Sequence, residues 1–278
     1  MTRVSGLTGL AVIAAAFAAC APSLATMQPA HVAPKGHFQA TAGLEVGIPT
    51  GAIVRAIDAG KTLSDAAAQG SLTADQERQV FEAGVNVLAS PPSAGPHLAL
   101  AYTPVERFEI GVRYAGNGWR VGTRYQILRH DEAPFDLTVG AGLSRSAYAI
   151  PVGDIIPILQ VEDFTRWTVD VPVLVGTSRS WYRIWAGPKL LWSHFATALR
   201  LSIPGGDTEL ASFEGQATYV GGQAGLALGY RHLFFGVELT LAEMFGSASV
   251  TATSLPAVRP VDFSGFLVYP AFGLLGEI

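Results

Sequence analysis

A strict alternation of side-chain character, with a period of two, most limits what this chain can fold into. It begins at His37 and returns in one short stretch after another. Between Phe108 and Tyr114, the residues Phe108, Ile110, Val112 and Tyr114 share one face of an extended chain, while Glu109, Gly111 and Arg113 share the other. In a soluble sheet the polar set meets water and the apolar set meets a core. Here about ten such stretches follow each other with almost no helix to cover an apolar face. In hydrocarbon every backbone amide needs a partner inside the protein, so a sheet is tolerated there only if it closes. These conditions together point to an all-β fold: a closed antiparallel up-and-down transmembrane β-barrel of about ten strands, apolar outside and polar inside.

Composition supports this reading and removes others. Charged residues make up only 14% of the 278 residues, against roughly 25% in ordinary soluble domains, and the mean hydropathy is +0.33. A net charge of -4 and the lack of a basic run leave no footprint for nucleic acid. A single cysteine allows no internal disulfide. A lipidated periplasmic β-sandwich or lipocalin-like barrel would need a mostly polar outer face, yet the strands carry almost no lysine. An α+β enzyme with a helical subdomain at 50–90 is the remaining soluble alternative.

The start of the chain reads as an export signal. Arg3 gives the positive end and Leu7 to Ala19 an apolar run of small residues, so residues 1–19 read as a signal peptide. The run ends in Phe17-Ala18-Ala19-Cys20, which resembles the lipobox of bacterial lipoproteins, with Phe17 where an aliphatic residue is usual. The resemblance implies that Cys20 is acylated and becomes the first mature residue. It also implies outer-membrane sorting, because Ala21 rather than Asp follows the cysteine. Ser23-Leu24-Ala25 offers ordinary cleavage after Ala25 as the alternative. Residues 20–36, rich in Ala and Pro, read as a flexible tether. No other segment is long and apolar enough for a spanning helix.

From 37 to 278 the pattern predicts the barrel. Its first strand carries Phe38, Ala40, Ala42, Leu44 and Val46 on the lipid face. A helical insert at 50–89 follows, with helices over 51–68 and 74–89 and a Thr73…Gln76 capping box. Strands resume at His97, and Gly116-Asn117-Gly118 marks a hairpin. Later strands are expected near 119–127, 135–143, 167–176, 181–193, 214–229, 235–241 and 261–275. The connections near 48–96, 148–166, 194–213 and 244–260 are long, and those near 104–106, 130–133, 177–180 and 231–232 are short. This asymmetry resembles that of small bacterial outer-membrane barrels over 37–278, and implies an outer-membrane location with both termini, and any lipid on Cys20, on the periplasmic side. Pro172, Pro188 and Pro270 fall mid-strand and predict bulges or local breaks. Leu174, Trp185 and Leu191 point inward against the polar trend.

In this register Glu45, Glu109, Arg113, Arg120, Arg124, Asp136, Asp170, Arg183, Lys189 and Glu238 all face inward. With both signs in equal number, they predict an ionic network that occludes the lumen, or else the lining of a narrow solute pore without ion selectivity. Tyr102, Tyr114, Trp119, Trp167, Trp181, Tyr182 and Tyr230 lie near strand ends, where interfacial rings belong. The six histidines show no metal-ligand spacing, and no cofactor motif is present. Ser193-His194 with Asp207 or Glu209 is the one catalytic set at the outer rim, but neighbours in a strand point to opposite faces. The expected partners are outer-membrane lipids, and an envelope or surface protein contacting 50–89 and the apolar stretch Ile155 to Leu159 within 148–166. The expected role is structural or interactive, with a pore as the alternative and a rim hydrolase as the least favoured reading.

Overall fold

A computed structural model of the chain describes residues 22–69, 73–116, 118–148, 159–161, 164–203, 206–252 and 255–278. The elements run β1 (Phe38–Gly47), α1 (Thr50–Gln69), α2 (Ala74–Ala89), β2 (Ser93–Val105), β3 (Phe108–Ala115), β4 (Gly118–Leu128), β5 (Asp136–Tyr148), β6 (Leu159–Val161), β7 (Phe164–Ser178), β8 (Tyr182–Ile203), β9 (Gly206–Tyr230), β10 (Leu233–Ala252) and β11 (Leu255–Glu277). Ten strands form a closed antiparallel up-and-down barrel, sealed by β1 against β11 and by β8 against β9. β6 is a short addition paired to the far part of β8.

The alternation sets the faces. Along β1, Phe38 and Leu44 are exposed while Gln39, Thr41 and Glu45 are buried. The pattern continues through Ile110, Val112, Val121, Leu143, Val169, Val220, Leu239 and Phe272, all exposed on the outside. The phase of β11, ambiguous in sequence, resolves with Phe263, Leu267, Tyr269, Ala271 and Leu275 inward.

One end of the barrel has tight turns between β2 and β3, β4 and β5, β7 and β8, and β9 and β10; we call it the short-turn end. At the far end, the expected connections near 194–213 and 244–260 are largely strand, because the β8–β9 and β10–β11 hairpins run on to Ile203/Gly206 and Ala252/Leu255. β9 alone has 25 residues, against the roughly 9–11 needed to cross a bilayer. Beyond that zone the outer face no longer has to be apolar, so residues such as Ser249 and Thr251 removed the contrast by which a strand is read. The connection at 148–166 lies mostly outside the described residues, as does Asn117 of the hairpin signal.

Of the two irregularities expected at the prolines, Pro172 and Pro188 show the local break and not the bulge. The ladder between β7 and β8 keeps one register on both sides of Pro172 and Pro188, with a local gap instead of an extra residue. Glycine makes this closeness possible: a side chain at Gly187 would collide with the Val173 carbonyl. Pro270 likewise sits in register opposite Leu239. Register shifts fall elsewhere, at Tyr102/Val105, Gln126/Leu128, Leu199/Arg200 and Val250/Ala252.

Both helices form where the sequence places them. Thr73 caps α2 by accepting from Gln76 N (3.3 Å), and Gln76 Oε1 accepts in return from Thr73 N (2.9 Å). The insert lies at the far end, against β11. α1 leans on β11 through Thr50 Oγ1 to Phe266 O (3.0 Å) and Arg55 to Ser264 (3.0 Å). The end of α2 turns into the barrel, where Arg166 donates to Ala89 O at 2.6 Å. No helix among the described residues is long and apolar enough to cross a membrane.

Candidate functional site: a lumen filled by the N-terminal segment

Residues 22–33 are not the expected flexible tether; they are packed inside the barrel. Leu24, Ala25, Thr26, Met27, Ala30 and Ala33 are almost fully buried. The chain leaves the lumen at the short-turn end through a turn at Pro34–Gly36, where Gly36 adopts φ +85° and donates to Thr103 O (2.8 Å) before entering β1. From there the segment runs back up the lumen, so that Pro22 and Ser23 lie beside Ala115, Gly118 and Ser146, toward the far end. The two ends of the described chain therefore lie at opposite ends of the barrel. Ile278 is at the short-turn end, paired to Phe38, while Cys20 and the residues before it, on which the expected placement of both termini turns, lie outside the described residues.

The ten inward charges read from the sequence are all buried, none more than 8% exposed. Only some pair with each other. Arg120 grips Asp170 with two bonds (Nε–Oδ1 2.6 Å, Nη2–Oδ2 2.9 Å), and Arg124 grips Glu109 with two of 2.8 Å. Several turn to the inserted segment and satisfy its peptide groups, and the others find partners on the wall. Arg124 also donates to Pro29 O (2.7 Å), Arg113 to Ala25 O, Lys189 to Leu24 O, and Thr138 to Ala30 O. Glu238 accepts from Thr26 N (2.6 Å), Met27 N (3.0 Å) and the Trp185 indole (2.8 Å). Glu45 gathers Ser23 Oγ (2.8 Å), His97 (3.1 Å) and Tyr269 Oη (3.1 Å). Asp136 accepts from Gln126 (2.8 Å) and from the His130 backbone (2.9 Å), and Arg183 donates to Glu277 (2.7 Å). A buried charge left unpaired is costly, so the segment and the wall are matched parts.

Leu174, Trp185 and Leu191 point inward as expected and pack around this segment, with Trp185 seated over Gly225, where any side chain would strike the indole. Farther along, the inward face of β7–β11 becomes aromatic. Phe195 stacks on Phe164 and Phe213 (5.7 Å each), and Phe263 lies 6.2 Å away. Arg166, which the sequence reading missed, sits 1% exposed against Phe164 and Phe195 while holding the end of α2. Its signal was its place two residues before Thr168 on the inward face of β7.

The outer rings fall at both ends of the wall. Tyr114 meets Trp119 (5.1 Å), Trp181 meets Tyr182 (4.5 Å) and Tyr102 meets Phe38 (4.7 Å), while Trp119, Trp167, Trp181 and Tyr230 are exposed. Ser193 and His194 do not form a catalytic pair: Ser193 is buried inward, and His194 faces outward toward Glu214 (3.5 Å). The side chains of Asp207 and Glu209, and Cys20 itself, lie outside the described residues.

At the short-turn end a cavity of about 380 Å³ opens, bordered by the base of the segment at His31 and by Arg107, Arg129, Ser178, Arg183 and Glu277. There Ser178 Oγ is 2.8 Å from His31 Nδ1, and His31 Nε2 is 2.8 Å from Glu277 Oε2. The sequence reading had no signal for this group, because its members are far apart in the chain.

Comparison with solved structures finds similarity at low identity. The chain is similar to the outer membrane protease OmpT of Escherichia coli (8% identity, TM-score 0.43, 91% of this chain and 100% of that one). It is also similar to OprG of Pseudomonas aeruginosa (9%, 0.37, 88% and 97%) and to a major outer membrane protein of Thermus thermophilus (9%, 0.36, 87% and 99%). No family model and no curated protein matches the chain.

Proposed function

We propose that the chain is a bacterial outer-membrane barrel whose lumen is closed by its own N-terminal segment, serving a structural or surface-interaction role. The observation that carries this reading is the hydrogen-bonded seat of residues 22–33, with Glu238 on Thr26 and Met27 and Arg124 on Pro29. A solute path would have to displace it. The apolar outer face suits hydrocarbon, and the aromatic rings at both ends suit lipid headgroups. The short turns then face the periplasm and the long hairpins the cell surface, as in barrels of this architecture. The helical insert supports an interaction role, since Val54, Ile57 and Leu63 on α1 are exposed apolar residues. Residues 148–166 are the second expected contact.

We assign lipidation to Cys20. With Pro22 toward the far end, the acyl chains enter the leaflet on that side, and not the periplasmic leaflet that the sequence alone suggests. The mass of the mature N-terminal peptide tests this. A diacylated Cys20 is expected. A chain beginning at Thr26 would replace the lipid by an α-ammonium on Glu238. The functional reading is tested in planar bilayers, where the intact protein is silent and a variant lacking 22–33 shows stepwise conductance. A pore is the second reading, favoured by the charged wall behind the segment; conductance by the intact protein, altered in Arg120→Gln or Arg124→Gln, would establish it.

A further inference from the structure

We propose that Ser178, His31 and Glu277 form a serine acyl-transfer site at the short-turn mouth, acting on small carboxylic esters that carry a negative charge. This activity is separate from the closure of the lumen. The argument begins with the relay. A hydroxyl becomes a nucleophile when one imidazole nitrogen takes its proton and the other is held by a carboxylate. Ser178 Oγ lies 2.8 Å from His31 Nδ1, and His31 Nε2 lies 2.8 Å from Glu277 Oε2. The ring is turned end for end relative to the usual Ser-His-Asp arrangement, but each partner still faces one nitrogen.

The tautomer follows from competition at Nε2. The Gln39 amide nitrogen also lies 3.2 Å from it and would favour a bare nitrogen. The carboxylate is closer and charged, and a charge-assisted bond is roughly twice as strong as a neutral one. The proton therefore sits on Nε2, leaving the Nδ1 lone pair for the serine. Arg183 donates to the same Glu277 oxygen at 2.7 Å and fixes the carboxylate in place.

Location supplies the rest. Ser178 is half-buried at the last position of β7 and borders the 380 Å³ cavity, as do His31 and Glu277. Arg179, next in the chain, is exposed on the same space and donates to the Ser178 backbone carbonyl at 3.3 Å, which sets a positive charge beside the nucleophile. At the rim Arg107 is paired with Glu132, and Arg129 with Glu106 and Asp131, so the charge that favours an anionic substituent is that of Arg179. Val32, Ala33 and Pro34 give a short apolar wall for the acyl group.

The chemistry balances without a cofactor. Ser178 Oγ forms a bond to the ester carbonyl carbon while its proton passes to His31 Nδ1. The tetrahedral intermediate collapses, the bond from carbon to the alcohol oxygen breaks, and His31 gives that oxygen its proton. Water then attacks the acyl-serine with His31 as base, releasing the acid and restoring the hydroxyl. His31 lies after both cleavage positions, so the site does not depend on which one is used.

The test uses the full-length refolded barrel in detergent. A fluorophosphonate probe is expected to label it, with the adduct mapped by peptide mass to Ser178. Mono-4-nitrophenyl succinate is expected to turn over faster than 4-nitrophenyl acetate. Ser178→Ala should abolish labelling, and His31→Gln should lower turnover by about 100-fold or more, with folding followed independently by heat-modifiable migration on gels. An unlabelled folded barrel, or an adduct on another residue, overturns the proposal. Because the adduct is mapped on the unsubstituted protein, the result stands even if a variant fails to fold.

Discussion

Around Arg124, Asp170 and Glu238 the lumen is filled by peptide backbone, and the wall meets it with charge. Toward the far end, around Phe195, Phe213 and Phe263, the wall itself fills the space with stacked rings, and a helix end is held there by Arg166. The same inward face of one sheet thus solves occlusion twice. The first solution depends on directional bonds between parts distant in sequence. The second depends on apolar volume, which tolerates substitution as long as the space stays filled. The contrast assigns the charged half to specificity, since its bonds to residues 22–33 are directional, and the aromatic half to bulk stability.

The two halves are expected to respond differently to perturbation. Deleting residues 22–33 should have the largest effect: buried Arg113, Lys189 and Glu238 lose their partners together, the barrel loses heat resistance on gels, and single-channel recording shows steps. Asp170→Ala leaves Arg120 buried without its carboxylate and should cost about 3–5 kcal/mol, read by urea unfolding in detergent micelles. Asp170→Asn should cost less. Phe195→Ala, in the aromatic half, should cost about 3 kcal/mol while leaving the bilayer recording silent. If that variant conducts as the deletion does, the division between the halves is wrong. Thr73→Ala removes only the α2 cap and should cost about 1 kcal/mol, seen as local hydrogen exchange in the insert with the lumen unchanged.

The barrel was readable because its information is local. Period-two alternation places Glu45 and Glu238 inward without any knowledge of neighbouring strands, and the cap Thr73–Gln76 lies within four residues. The filling of the lumen was not readable, because an Ala/Pro-rich stretch such as 22–33 has no periodicity. Its burial arises from carbonyls meeting Arg113, Arg124 and Lys189 on β3, β4 and β8. The same nonlocality hid the Ser178–His31–Glu277 group, while the sequence-adjacent Ser193 and His194 suggested chemistry that the pleat forbids. The strand extensions toward Ile203 and Ala252 escaped notice because a wall outside hydrocarbon can be polar on both faces.

The central claim is that residues 22–33 lie inside the barrel, and proton NMR of the refolded protein in micelles reaches it directly. Met27 N and Trp185 Nε1 both donate to Glu238 Oε2, at 3.0 and 2.8 Å. The account predicts a nuclear Overhauser cross-peak between the Met27 amide and Trp185 indole protons, with slow exchange of the Thr26 and Met27 amides. Rapid exchange at both amides with no such cross-peak, in a barrel whose strands remain protected, would contradict it.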